Sequence, residues 1–93
     1  MVQHVIVTLS IGLASPSGYR VVSVIRYAKA SAASGFTIPR QAQLQAFLQH
    51  FALTPEAIAQ LLTKVHAGST EQLTLGAIDH DHAERILRRY AQW

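Results

Sequence analysis

The stretch TPEAIAQLLTKVH, residues 54–66, is the clearest helix signal in the chain. Thr54 suits the N-cap position, because its hydroxyl can accept a hydrogen bond from an amide of the first turn. Pro55 suits the first helical position, where its missing N–H costs nothing. Apolar residues then recur at i, i+3, i+4 and i+7, which predicts one buried stripe: Ile58, Leu61, Leu62 and Val65. We predict a helix over residues 55–67 and arrange the other elements around its apolar face.

Two strands are predicted ahead of this helix. Residues 4–11 alternate between apolar and polar side chains, which is typical of a half-buried strand. Residues 19–27 are rich in β-branched and aromatic side chains. Because both faces of this second segment are apolar, we expect it to lie in the centre of the sheet. A loop of turn-forming residues at 12–18 separates the two segments, so we predict an antiparallel hairpin over about residues 3–27.

Three further segments connect to this framework. Residues 28–37 are mostly small and predict a connector between the hairpin and the helices. Residues 39–51 predict a helix, because their apolar residues repeat the same helical spacing: Leu44, Phe47, Leu48 and Phe51. Residues 72–76 alternate in polarity and predict a short strand that ends at Gly76.

The last element predicted is a helix over residues 80–92. Asp79 suits its N-cap position, and a third amphipathic stripe follows: Ala83, Ile86, Leu87 and Tyr90. The summed order is β-β-α-α-β-α. We therefore predict a single α+β domain with two layers, its helices packed on one face of a small, mainly antiparallel sheet.

The composition favours association with another subunit but does not identify the partner. The 93 residues are 49% hydrophobic and only 14% charged, which is high in apolar and low in charged content. Either the core is well filled, or an apolar surface is covered by another subunit; the low charge favours self-association as a homo-oligomer. The net charge of +3 permits contact with nucleic acid or an acidic protein but argues for neither.

No segment predicts contact with a membrane. No apolar run reaches the ~18 residues needed to span a bilayer. Residues 1–13 lack a basic start and are interrupted by polar residues, so we interpret them as mature sequence rather than a signal peptide. The expected location is cytoplasmic.

Residues that could carry chemistry are few. Asp79-His80-Asp81-His82 offers side chains that can bind zinc. However, a helix should begin here, and residues two apart on a helix do not share a face. We favour the interpretation that these residues cap the helix and occupy polar positions in its first turn, so the sequence predicts no metal site. No nucleophile elbow, phosphate-binding glycine loop or paired-carboxylate arrangement is present. We expect a non-enzymatic protein without a cofactor.

Basic residues cluster on the last predicted helix. Arg85, Arg88 and Arg89 lie beside Tyr90 and could contact phosphates. Asp81 and Glu84 partly neutralise them, which favours a solvated, salt-bridged surface. Nucleic-acid binding through these arginines is the alternative function.

Residues 54–62, TPEAIAQLL, resemble the first helix of many helix-turn-helix DNA-binding proteins. The resemblance implies a tight turn and a recognition helix immediately afterwards. Here residues 68–70 lead into a strand-like segment instead, so the likeness covers only about a dozen residues.

A longer resemblance runs from Tyr19 to Gln92. It is similar to the Clp-protease adaptor (ClpS) family, small α/β domains that deliver substrates to an AAA+ unfoldase and recognise destabilising N-terminal residues. YRVV at 19–22 resembles that family's strand. LQHF at 48–51 and QLL at 60–62 resemble its two helices, and KVH at 64–66 resembles the valine-histidine that closes the second helix. The resemblance implies that His66 corresponds to the family's pocket histidine, which helps to hold a peptide α-amino group.

One departure from that family bears on its chemistry. Where the family has an Asn-Asp-Asp turn, this chain has IRYAK at 25–29. Arg26 or Lys29 would repel an α-ammonium group. We therefore predict a small adaptor or protein-interaction domain whose partner-binding surface includes His66, Arg26 and Tyr27, without the family's amino-terminal recognition.

Overall fold

The structure, a computed structural model, describes residues 4–14, 16–26 and 31–91. Within these residues the chain forms four strands and three helices in the order β-β-β-α-α-β-α. Their bounds are β1 His4–Leu13, β2 Tyr19–Arg26, β3 Ser31–Ile38, α1 Gln41–Gln49, α2 Pro55–His66, β4 Glu71–Asp79 and α3 His80–Ala91. The predicted α+β class is confirmed, with three leading strands instead of two.

All strands belong to one antiparallel sheet with the order β3-β2-β1-β4. β1 and β2 pair from Ile6↔Arg26 to Leu13↔Tyr19, which confirms the hairpin over its described residues. β2 has a hydrogen-bonded neighbour on each side, as its apolar composition predicted. The sheet therefore ends in two edge strands, β3 and β4.

One face of the sheet, called the inner face, carries the core. The odd-numbered residues of β1 and β2 point to it, because side chains alternate along a strand. Apart from Leu13, which ends β1 and is 52% exposed, their apolar members are buried, in β1 as the alternation predicted: Val5, Val7, Leu9, Ile11, Tyr19, Val21 and Ile25. The predicted stripes of the three helices are buried against them in the same cluster, with Tyr90 partly buried beside it. Burial of this apolar surface is the main stabilising contribution to the fold.

The three helices cover the inner face in different places. α1 contacts β3, α2 contacts β1 and β4, and α3 contacts β1, β3 and β4. At the start of α2, the Thr54 hydroxyl accepts a hydrogen bond from the Ala57 amide at 3.2 Å, as its N-cap role predicted. Gly68 follows α2 with a φ of +100°, which favours glycine. Among the described residues no helix has the length and apolar character needed to cross a membrane.

The connector predicted over residues 28–37 was wrong for residues 31–37, which belong to β3. β3 pairs with β2 from Tyr19↔Ile38 to Arg26↔Ser31. Its small residues have weak strand propensity. They form a strand because their backbone N–H and C=O groups hydrogen-bond to those of β2, which would otherwise have no partners on that side. Residues 27–30, including Tyr27 and Lys29, lie outside the described residues.

The predicted end of the third strand at Gly76 was also wrong. β4 continues to Asp79, and its pairing with β1 shifts register between Val7↔Leu75 and Ile6↔Ala77. Gly76 is the extra residue of this β-bulge, where glycine is readily accommodated. The predicted helix over 39–51 is shorter in the structure, since α1 ends at Gln49.

Candidate functional site

His66 lies at the last position of α2 and contacts the first residue of β2. Its Nε2 and the Tyr19 hydroxyl share a hydrogen bond of 2.6 Å, and the two ring centroids are 5.8 Å apart. Tyr19 is only 7% exposed, whereas His66 is exposed. The histidine therefore gives a mostly buried tyrosine a polar partner at the border of the core.

The turn after His66 holds further polar contacts. The Ser69 hydroxyl donates to the Glu71 carboxylate, and Lys64 Nζ lies 3.8 Å from the same group. Thr70 lies close to Gly12, where an added Cβ would come within 3.0 Å of the threonine hydroxyl. These contacts link the end of α2 to β1 and β4, so the side chains around His66 have a clear role in holding the layers together.

The structure does not bring Arg26 to His66. His66 contacts Tyr19, at the start of β2, and Arg26 is seven residues further along the same strand. At the usual rise per residue these two ends are about 23 Å apart. Arg26 also points away from the helices, whereas Tyr19 points toward them. The predicted partner-binding residues therefore divide between two places, and Tyr27 lies outside the described residues.

The second face of the sheet, called the outer face, is not covered by the three helices. Small, β-branched and hydroxyl side chains dominate it: Ile6, Thr8, Ser10, Val22, Val24, Ala33, Gly35, Thr37, Gln72 and Thr74. Ile6 is 41% exposed, and Val22 and Val24 are half-buried. A shallow depression lies over Gly35, where the missing side chain leaves Arg20, Val22 and Thr37 around it. The outer face is therefore mostly neutral and sparsely charged.

Two arginines flank the apolar centre of the outer face. Arg20 and Arg26 are exposed at opposite ends of β2, with Val22 and Val24 between them. Among the described strand residues, Asp79 is the one acidic residue on the outer face. Its carboxylate accepts a hydrogen bond from the Asp81 amide. Among the described residues, the outer face therefore carries two arginines on β2 and one aspartate at the end of its edge strand β4.

The arginines of α3 lie on its solvent side. Arg88 donates to the Glu84 carboxylate at 2.7 Å, an i, i+4 pair that agrees with the predicted salt-bridged surface. Arg85 and Arg89 are exposed one turn apart. An open depression on this surface is lined by Asp81 and Glu84 as well as by Arg85 and Arg88, so positive and negative groups alternate there.

The Asp79-His80-Asp81-His82 segment forms the start of α3. The Asp79 carboxylate accepts from the Asp81 amide at 3.0 Å, as its capping role predicted. The two His80 nitrogens lie 3.5 Å from Asp81 and 3.4 Å from Glu84. His82 Nε2 lies 3.2 Å from the His50 carbonyl oxygen. In the part of the chain that the structure describes, no three acidic or histidine side chains converge as metal ligands would.

No protein-family model matches the chain, and the searches of curated proteins and of solved structures give no match either. The similarity to the Clp-protease adaptors therefore stays a prediction from the sequence. In the structure the strand directly before α1 is β3, not the β2 segment to which the resemblance assigned the first core strand. α2 is followed by β4, so the helix-turn-helix likeness ends at α2.

Sequence reasoning did not assign a role to the outer face. A signal for it was present, because Val22 and Val24 alternate with the core residues of β2 and give the strand two apolar faces. That pattern was interpreted as a mark of central position, which is correct. It also indicates a strand whose second face is suited to contact another molecule.

Proposed function

We propose that this chain is a small, non-enzymatic protein-interaction domain of adaptor type, which binds a partner protein through its outer face. The observation that carries the proposal is the uncovered face itself. It presents Ile6, Val22 and Val24 to solvent while the three helices bury the inner face. Contact with another protein would remove this apolar surface from water, which is favourable.

The charges of this face specify the partner's chemistry. Arg20 and Arg26 are six residues apart on one strand, which corresponds to about 20 Å. A complementary partner has an apolar, extended segment with carboxylates at a similar spacing, so that an ion pair can form at each end. Arg26, which the sequence had singled out, is part of this surface, whereas His66 stabilises the opposite end of β2.

A pair of synthetic peptides tests this proposal. The first has Glu at both ends of an extended seven-residue segment with alternating Val and Thr between them; the second has Lys at both ends. Binding to the full chain is measured by calorimetry or fluorescence anisotropy. We expect the acidic peptide to bind about tenfold more tightly, because each exposed ion pair contributes about 0.2–1 kcal/mol and each like-charge contact opposes binding.

Two double variants locate the binding surface. Replacing Arg20 and Arg26 with Gln removes the flanking charges, so we expect the preference for the acidic peptide to disappear. Replacing Arg85 and Arg89 with Gln removes the same charge from α3 and should leave the preference unchanged. Equal binding of both peptides to the unmodified chain, or a preference that follows the α3 arginines, would contradict the proposal.

Nucleic-acid binding through Arg85, Arg88 and Arg89 is the second candidate. It is favoured by the exposure of all three side chains on one helix. It ranks below protein binding because Glu84 already pairs with Arg88 and because Asp81 borders the same depression. A phosphate backbone approaching this surface would meet both carboxylates.

A further inference from the structure

The two edge strands of the sheet differ in how they discourage pairing with another strand. β4 carries Glu71 and Asp79 at its two ends and a bulge at Gly76. Charges and bulges are common means by which proteins protect exposed sheet edges. β3 has no such features. Its eight residues, SAASGFTI, include no charged residue and no proline. Its pairing with β2 keeps one register from Arg26↔Ser31 to Tyr19↔Ile38.

We propose that β3 pairs antiparallel with β3 of a second copy of this chain, about a two-fold axis at Ser34. The two sheets then become one continuous sheet with both sets of helices on the same side. Alternate residues of an edge strand direct their amide and carbonyl groups away from the neighbouring strand. In the proposed dimer these groups of β3 bond to their equivalents in the second copy instead of to water.

The charge pattern selects a second copy as the occupant. Symmetric antiparallel pairing places residues of the same strand opposite one another, so any strong charge near the axis meets a like charge. β3 has no charged residue along its length, which removes this penalty. Full overlap of two β4 strands would instead place Glu71 opposite Asp79. The chain can therefore self-associate through β3 but not equally through β4.

Ser34 provides independent support for the register. Its hydroxyl oxygen is buried, and within the described residues no hydrogen-bond partner is found for it. The neighbouring Ser23 hydroxyl donates to the Ser34 carbonyl oxygen at 3.3 Å rather than to this hydroxyl. A buried polar group without a partner is costly. When Ser34 faces Ser34 of the second copy, rotation of each side chain about χ1 toward the sheet edge brings the two hydroxyls within hydrogen-bonding distance of each other.

The same register has favourable steric consequences. It places Ala33 opposite Gly35 of the second copy, and Ser31 opposite Thr37. These are small or β-branched residues, which allow two strands to approach closely. The proposal goes beyond partner binding, because it uses the edge of the sheet and not its outer face. It predicts that the outer faces of two copies lie side by side.

A cysteine at Ser34 tests both the dimer and its register. The chain has no cysteine of its own, so Ser34→Cys introduces a single thiol. Opposed Cα atoms of an antiparallel pair lie about 4.5–5.5 Å apart, a distance that a disulfide can span. We expect mild oxidation to give a covalent dimer of Ser34→Cys. The matched control is Thr74→Cys on β4, which should stay largely unlinked.

Light scattering of two variants with opposite charges measures dimerisation without a covalent link. Ala33 is exposed, and in the proposed register the two Ala33 positions are diagonal neighbours, about 7–8 Å apart. Ala33→Glu and Ala33→Lys should each raise the dimer dissociation constant by about two- to fivefold, because two like charges then lie close together across the axis. An equimolar mixture of the two should regain dimers, whereas Thr74→Glu on β4 should have no effect.

These results separate the dimer from the proposed partner binding. A monomer at every soluble concentration, or a dimer that survives both Ala33 variants and does not cross-link at Ser34, overturns the β3 pairing. The peptide assay uses the outer face, so it can succeed with a monomer. Conversely, a chain that dimerises through β3 and ignores both peptides would leave this inference standing while contradicting the proposed function.

Discussion

The two faces of β2 are built from similar side chains but have different surroundings. On the inner face Val21 is completely buried, and Ile25 is 7% exposed. On the outer face Val22 and Val24 are half-buried without a helix above them. The apolar composition of the strand therefore does not determine which face forms the core. The three helices determine it, and they leave the second set of valines available for contact with another molecule.

The largest effect expected from this comparison comes from substituting adjacent valines with alanine. Val21→Ala removes buried methyl groups and leaves a cavity, so we expect a loss of about 2–3 kcal/mol in the free energy of unfolding. Val22→Ala removes the same atoms from the half-exposed face and should cost less than about 1 kcal/mol. Urea denaturation of the two variants measures both values. Equal losses would mean that the outer face is packed as tightly as the inner face.

A smaller effect is expected where the inner layer meets solvent, at Tyr19 and His66. His66→Ala removes the hydrogen-bond partner of a mostly buried hydroxyl, and we expect a loss of about 1–2 kcal/mol in the free energy of unfolding. Tyr19→Phe removes the hydroxyl and leaves an exposed histidine, which water can solvate, so its cost should be lower.

The double variant tests whether these two residues act together. If the 2.6 Å hydrogen bond accounts for the loss, His66→Ala should cost much less in the Tyr19→Phe background. Purely additive losses would show that the two side chains contribute independently. In that case His66 would again be free for a role in partner binding, as the adaptor resemblance implied.

The elements that the sequence predicted correctly are those in which apolar and polar residues alternate clearly with the period of a helix or a strand. The stripe from Ile58 to Val65 gave α2, and alternation from Val5 to Ile11 gave the inner face of β1. β3 was missed because residues 31–35 are all small, so alternation produces no contrast between polar and apolar faces. Phe36 and Ile38 did alternate about Thr37, but a signal of three residues is short. The strand forms through its pairing with β2, from Arg26↔Ser31 to Tyr19↔Ile38, and the polarity pattern of β3 alone does not show that contact.

The candidate site was harder to predict for a related reason. The sequence joined His66 and Arg26 because a resemblance placed the end of a helix beside the end of a strand. The structure shows that His66 lies at the other end of that strand. The outer face could not be identified as uncovered before the positions of all three helices were known. Local patterns specify which side chains share a face, but long-range packing decides whether that face is buried.

The smallest effect on stability, and the sharpest test of the comparison, is expected from a double variant with Val22→Thr and Val24→Thr. Threonine is close to valine in shape and favours strands equally well. On a half-exposed face its hydroxyl can reach water, so the free energy of unfolding should change by no more than about 0.5 kcal/mol per site. The matched control is Val21→Thr, which buries a hydroxyl in the core and should cost about 1–3 kcal/mol.

Binding should show the opposite order. In the proposed complex the outer face is desolvated, so the two added hydroxyls lose water and we expect the acidic peptide to bind about tenfold more weakly. Val21→Thr, if it stays folded under the assay conditions, should bind the peptide normally because its side chain points to the helices. A double variant that loses stability but not binding would reverse the roles of the two faces. The valines of the outer face would then stabilise the fold, and the partner would have to bind elsewhere.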